Sequence, residues 1–228
     1  MMTIDKLDGL NILDRYDIRV VRAKYIDSPE DAIAFAVRRT AQDERAIPIE
    51  LCAVSPDGGV PKAEGPLSGH DAIRAAFLAL RPAVDASGGR ILARAWIEPG
   101  TDIRIEGRTD AALGKCLTLS SRVHSVERMV PIDTQGAQAL AEHFQGYHHR
   151  GDSEKRRRML EHLLMRVSQF FNDEPGVESF TLSPLRVHEN SYTVLDAIVR
   201  LSGPIHSRKR LEAHAHDRKG HYQPAGRQ

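Results

Sequence analysis

The sequence predicts an α+β fold, and three observations predict it. Capped amphipathic helices alternate with β-rich runs, clusters of turn residues separate them, and the composition supports real cores. Of 228 residues 41% are hydrophobic and 28% charged, enough for one large domain or two small lobes. Lys and Arg number 32 against 31 Asp and Glu, a formal net charge of +1, so no global field steers the chain to nucleic acid or a membrane surface.

Taken in order, "SPEDAIAFAVRRTA" has Ser28 as N-cap, Pro29 at the first helical position and acids in the first turn, with Ile33, Ala36, Val37 and Thr40 on one face. "IPIELCAV" from Ile47 is a β-rich run closed by the turn cluster Ser55–Gly59. "SGHDAIRAAFLALRP" repeats the helix grammar: Ser68 caps, Ile73, Ala76, Phe77 and Leu80 face inward, and the helix is expected to stop before Pro82. "ILARAWIEPGTDIRIEGRTD" reads as two strands around a hairpin turn at Pro99–Gly100, the second alternating Ile103 and Ile105 with Arg104 and Glu106. "KCLTLSSRVHSVERMVPI" is a further strand region. "DTQGAQALAEHF" is a helix capped by Asp133 with Ala137, Leu140, Ala141 and Phe144 inward. "GDSEKRRRMLEHLLMRVSQFF" is the longest helix, with Met159, Leu160, Leu163, Leu164, Val167, Phe170 and Phe171 as its apolar stripe. "GVESFTLSPLRVHENSYTVLDAIVRL" gives a strand, a bend at Pro184, a tight turn at His188–Ser191 and a second strand ending with Asp196. From Ile205 the chain is polar, basic and His-rich, which predicts a mobile tail over 205–228.

Cys52 and Cys116 have no Cys or His at a metal-ligand spacing and read as buried free thiols. The opening "MMTIDKLDGLNILDRYDIRVV" has no apolar core of signal-peptide length, and no run approaches ~18 apolar residues, so a cytoplasmic protein without a membrane span is expected.

The order of "LDRYDIRVV", "SPEDAIAFA", "IPIELCAVSPD", "GGRILARAWIEPGTDIRIEGRTDAALG", "ERMVPID", "HHRGD" and "FTLSPLRVHENSYTVLDA" resembles the ATP-grasp domain of the NDP-forming (ADP-forming) acyl-CoA synthetases, from Leu10 to Leu201. Those enzymes interconvert acyl-CoA, ADP and phosphate with acid, CoA and ATP. The resemblance implies two α+β lobes with mainly antiparallel sheets, at 1–92 and 93–204, grasping ATP or ADP with Mg²⁺. In that family a separate Rossmann-type portion carries CoA and a phosphohistidine. This chain has no Gly-rich dinucleotide fingerprint, so it resembles the beta subunit of a split enzyme, with a CoA-binding alpha-type subunit or a homo-oligomer as partner.

Phosphoryl transfer rests on positioning and charge neutralisation, so such a site needs a cation on the phosphates and carboxylates or amides around Mg²⁺. The resemblance sets the family's phosphate-binding lysine at Cys52, a neutral thiol. Its His-Lys pair and Gly-Gly fall on Val60, Pro61, Gly65 and Pro66, with Lys62 one position away. The adenine-hinge glutamine and acid fall on Arg94 and Asp102, and the Gly-Gly loop on Ser120, Ser121 and Arg122. The metal-holding amide before proline is Ser183, while Pro184, Leu185 and Asp196 match, as do Pro131, Arg150 and Gly151. The leading expectation is a degenerate, non-catalytic module that binds or regulates and has no cofactor of its own. The alternative is an active ligase subunit holding nucleotide through Lys62, Arg94, Asp102, Arg104, Arg150 and Asp196. Each of these also has a plain structural role open to it: Asp196 as a turn acceptor, Arg150 as a cap or bridge, Asp102 as a solvated acid. Cys52 reads as core, or as a reactive thiol if a neighbouring cation lowers its pKa. A third class is an anion or nucleic-acid binder working through Arg156–Arg158 and the tail. The histidines at 143, 148 and 149 lack acids placed to complete a metal set, while His206, His214, His216 and His221 of the tail are expected to capture Zn²⁺ only weakly, His214 and His216 at i, i+2 suiting an extended chain.

Overall fold

The computed structural model describes residues 2–43, 48–60, 62–122, 124–145, 153–189 and 191–203. Arg150, Gly151, His148, His149 and the tail lie outside them, as do the side chains of Thr40, His143 and Phe144. In chain order the elements are β1 (Met2–Thr3), α1 (Lys6–Asp14), β2 (Ala23–Ile26), α2 (Pro29–Asp43), β3 (Ile49–Val54), β4 (Lys62–Leu67), α3 (His70–Ser87) and β5 (Arg90–Ala95). There follow β6 (Thr101–Asp110), β7 (Gly114–Ser120), β8 (Ser125–Met129), α4 (Thr134–Gln145), α5 (Ser153–Asp173), β9 (Val177–Val187), β10 (Tyr192–Val194) and β11 (Ala197–Leu201). Among the described residues no helix is long and apolar enough to cross a membrane.

Period-two patterning sorts the strands into two antiparallel sheets. The smaller has the order β2-β5-β3-β4 and packs one face on α2 and α3. Ile49, Leu51, Ala53, Ile91 and Ala93 meet Ile73, Phe77 and Leu80 there in a continuous core. The larger has the order β1-β11-β9-β6-β7-β8, with β10 also paired to β9. Its core joins the stripe of α5 and the inner face of α4 to Ile103, Ile105, Leu117, Leu119 and Leu182. Phe180 stands edge-on to Phe170 and Phe171 at 5.3 and 5.2 Å between centroids. Position 107 must be glycine for this packing, because a Cβ there would lie 2.0 Å from the Phe180 ring.

Capping chemistry places several helix starts where expected. Ser28 Oγ accepts from the Asp31 amide at 3.1 Å, and Asp133 Oδ1 accepts from the Gly136 amide at 2.7 Å. Other expectations need correction. Helix α3 starts after Gly69, which makes no side-chain cap bond, and it runs through Pro82 to Ser87. Pro82 is exposed and sits four residues after the exposed Leu78, so water can serve the carbonyl that proline leaves without a donor, while Leu80 and Val84 keep the helix seated. Gly88, in the left-handed region at φ 66, ends it. Val37 is 54% exposed rather than inward, because Ala32, Ile33 and Ala36 fill the contact.

The expected hairpin at Pro99–Gly100 is a crossover between sheets. Strand β5 belongs to the small sheet, whereas β6 pairs with β7 and β9 in the large one. Trp96 N bonds Pro48 O at 2.9 Å, the last rung before the chain leaves the small sheet. The segment at 177–201 is three strands: β9 runs straight through Pro184, and Leu195–Asp196 separates β10 from β11. The first elements return to the large sheet. Strand β1 pairs with β11, and α1 packs on β11 so closely that a Cβ on Gly9 would sit 3.3 Å from Ala197 O.

Candidate functional site

Cys52, Arg94 and Asp196 lie where the small sheet meets α1 and the link between β10 and β11, while Asp102 and Arg104 stand on the large sheet. Directly opposed residues share a face, so the pairs Glu50↔Arg94, Cys52↔Leu92, Val54↔Arg90 and Tyr25↔Leu92 define the small sheet's second face. Cys52, Val54 and Leu92 pack there with Leu7 of α1, Ala23, Tyr25 and Val60. Arg94 Nε lies 2.5 Å from Glu50 Oε2, and its Nη1 donates to Leu195 O at 3.1 Å, tying the small sheet to the large. Burial opposes the Arg94 charge, but Cys52 and Glu50 outweigh it and hold its pKa above the ordinary value.

Next to that bond, Lys6 Nζ makes an ion pair with Asp196 Oδ2, with side-chain exposures of 2% and 13%. The second oxygen, Asp196 Oδ1, is buried without a hydrogen-bond partner. Ser183 N donates to Asp196 O at 3.1 Å. Burial pushes the Cys52 thiol up to about 11; Arg94 opposes this and is outweighed. The reactive-thiol reading therefore fails: a cation is adjacent, but desolvation dominates. Tyr25 is also raised, by burial and then by the Asp5 carboxylate its hydroxyl meets, while Arg90 lies 3.8 Å over its ring.

On the large sheet, β6 turns Asp102, Arg104, Glu106 and Arg108 to its open face. Arg186, directly opposite Asp102, holds that carboxylate through two bonds of 2.8 and 3.1 Å. Arg104 pairs with Glu106 at 2.5 Å, and Arg108 with Asp110 and Glu127 at 2.8 and 3.0 Å. Lys62 is elsewhere. It lies opposite Ala53, on the helix side of the small sheet, 3.2 Å from Glu64 and 3.4 Å from Ala79 O of α3.

The structure therefore brings Arg94 and Asp196 together, sets Asp102 and Arg104 on one face of the larger sheet, and turns Lys62 away. Arg150 is outside the described residues. Arg157 and Arg158 are engaged by Glu154, and Arg157 also by Glu161, whereas Arg156 Nε is buried without a hydrogen-bond partner, so the α5 start is only partly paired. Among the described residues no group of three His, Cys, Asp or Glu could hold a metal ion. A cavity of about 410 Å³ near α5, lined by His162, Arg166, Ser168, Gln169 and Asn172 among others, shares no residue with the site. Lys6, Glu50, Tyr25 and Arg186 were not foreseen. Lys6 did leave a signal: a cation at the first position of a helix opposes the macrodipole and needs a compensating acid.

No curated protein matches the chain in sequence. Among solved structures, it is similar to the dinucleotide forming acetyl-coenzyme A synthetase 1 of Ca. Korarchaeum cryptofilum, in complex with coenzyme A, acetyl-coenzyme A and a phosphorylated phosphohistidine segment. Identity is 19% and TM-score 0.72, over 87% of this chain and 93% of that one. It is likewise similar to PH1788 from Pyrococcus horikoshii Ot3, at 15% identity and TM-score 0.72, covering 89% and 92%. Similarity to ATP citrate lyase from Methanothrix soehngenii, at 13% identity and TM-score 0.52, spans 99% of this chain but 56% of that one. A family profile described as an ATP-grasp domain matches residues 2–201, and the chain belongs to that family.

Proposed function

We propose that this chain is a non-catalytic ATP-grasp module, acting as a binding or regulatory subunit for a CoA-binding partner. One observation carries the reading: each cation at the candidate positions described is already paired with a carboxylate of its own chain. Arg94 is taken by Glu50, Lys62 by Glu64 and Arg104 by Glu106. The two candidate acids are matched in the same way, Asp102 by Arg186 and Asp196 by Lys6. A magnesium nucleotide needs the reverse, cations open to phosphate oxygens and carboxylates open to the metal. Here Cys52 stands where an ammonium is needed and is uncharged at neutral pH. These residues, each already matched by an opposite charge of the same chain, do not fit a magnesium nucleotide. The similarity to a synthetase solved with coenzyme A supports a CoA-binding partner as the class to test.

A second reading, an active ADP-forming ligase subunit, is favoured by the presence of both acids, Asp102 and Asp196. Isothermal titration with ATP and ADP, with and without Mg²⁺, separates the two. No heat up to millimolar nucleotide is expected. Micromolar, Mg²⁺-dependent binding that Asp102→Ala abolishes would overturn the proposal in favour of the ligase subunit.

A further inference from the structure

The first turn of α1 touches the small sheet through Leu7 and the link between β10 and β11 of the large sheet through Lys6. We infer that the first turn of α1 is a built-in plug of the interlobe cleft, with Lys6 as a tethered cation on Asp196 and Leu7 as an apolar stopper on the small sheet. The inference rests on the non-catalytic reading above and says what fills the site instead of a ligand.

Three contacts set the plug. Asp5 caps α1 by accepting from the Leu7 amide at 2.9 Å and also meets the Tyr25 hydroxyl, which orients the turn towards the small sheet. Leu7 packs on Cys52, Val54 and Leu92, the apolar part of that sheet's cleft face. Lys6 points to the large sheet and seats its ammonium on Asp196, beside the Leu195 carbonyl that Arg94 grips from the small sheet. The rest of α1 cannot slide, because β1 is paired to β11 and Gly9 lies against Ala197.

The electrostatics favour a permanent occupant. An ammonium joined to the chain meets its carboxylate intramolecularly, at an effective concentration that a free cation in millimolar solution does not match. Displacing it would also strand a buried lysine without its carboxylate, which is costly. Asp196 Oδ1 without a partner is consistent with this: one ammonium satisfies one oxygen, and no second donor reaches the other. Cys52, 0% exposed and in the cluster that Leu7 packs against, makes the closure measurable.

In a Cys116→Ala background, Cys52 is labelled with a disulfide reagent under native conditions, and global unfolding is measured in the same protein. Labelling of the parent no faster than global unfolding is expected. Labelling a hundredfold faster would show that the cleft opens by itself and would overturn the inference. Lys6→Met, which leaves Asp196 uncompensated, is expected to speed labelling at least tenfold, and adding Asp196→Asn to bring it back towards the parent. A folded Lys6→Met protein that labels at the parental rate would also overturn it. If Lys6→Met does not fold, the parental comparison still decides. Nucleotide binding with Cys52 still protected would sink the non-catalytic reading alone, and rapid labelling without nucleotide binding would sink the plug alone.

Discussion

Alternate residues of the same strands build the two faces of the four-stranded sheet, and the faces have opposite chemistry. Towards α2 and α3 stand Ile49, Leu51, Ala53, Ile91 and Ala93, a face held by transfer of apolar area out of water. On the other side stand Glu50 and Arg94, a charge pair with side-chain exposures of 15% and 11%, beside Cys52 and Tyr25. The difference teaches how each face tolerates change. An apolar face loses stability in proportion to the cavity a substitution leaves. A paired face contributes little net stability over an apolar pair of equal volume, yet suffers when one partner is removed alone.

Three measurements break or sharpen this contrast. Phe77→Ala, on the helix side at 4% exposure, is expected to lose about 3–4 kcal/mol in urea unfolding, the largest effect. Arg94→Met is expected to cost about 2–3 kcal/mol by leaving Glu50 unpaired at a largely buried position, and adding Glu50→Gln to recover more than half of it. Single and double variants losing the same amount would show that packing, not pairing, governs this face. The smallest effect is in alkali. Cys52 is held at about 11 against an ordinary 9.0, so the unfolded chain deprotonates first. The stability from keeping the thiol neutral is complete below pH 9.0 and is lost as pH rises towards 11. Of the roughly 2.7 kcal/mol that two pH units correspond to, about 1 kcal/mol is expected to be lost between pH 9 and 10, and Cys52→Ala to flatten that slope in unfolding curves taken across the same range.

The helices were legible because their signals are local. The Ser28 and Asp133 caps and the α5 stripe each concern residues within a turn or two of one another. Pro82 misled because a proline stops a helix only where the lost bond is not replaced, and solvent at Leu78 is a tertiary fact. The Pro99–Gly100 turn misled because two strands flanking a turn look alike whether they pair or part. Within the site, the sequence showed which types stood at Cys52, Arg94, Asp102 and Ser183, but not who answers their charge. Glu50 is 44 residues from Arg94 and Lys6 is 190 from Asp196, separations at which no local pattern carries information.

The hydrogen bond from Ala95 N to Arg22 O, at 3.0 Å, sets side by side the two points where the chain enters and leaves the small sheet. Topologically, residues 23–95 are nested inside a protein whose larger sheet is built from both flanking stretches, with Met2 paired to Leu201. The ends of the nested piece already meet, so its loops and length can change while the strand order of the larger sheet is preserved. Such a change is felt across the boundary at the two crossings, the Arg94 grip on Leu195 and the turn of α1, which leaves the host sheet free to diverge at its own pace.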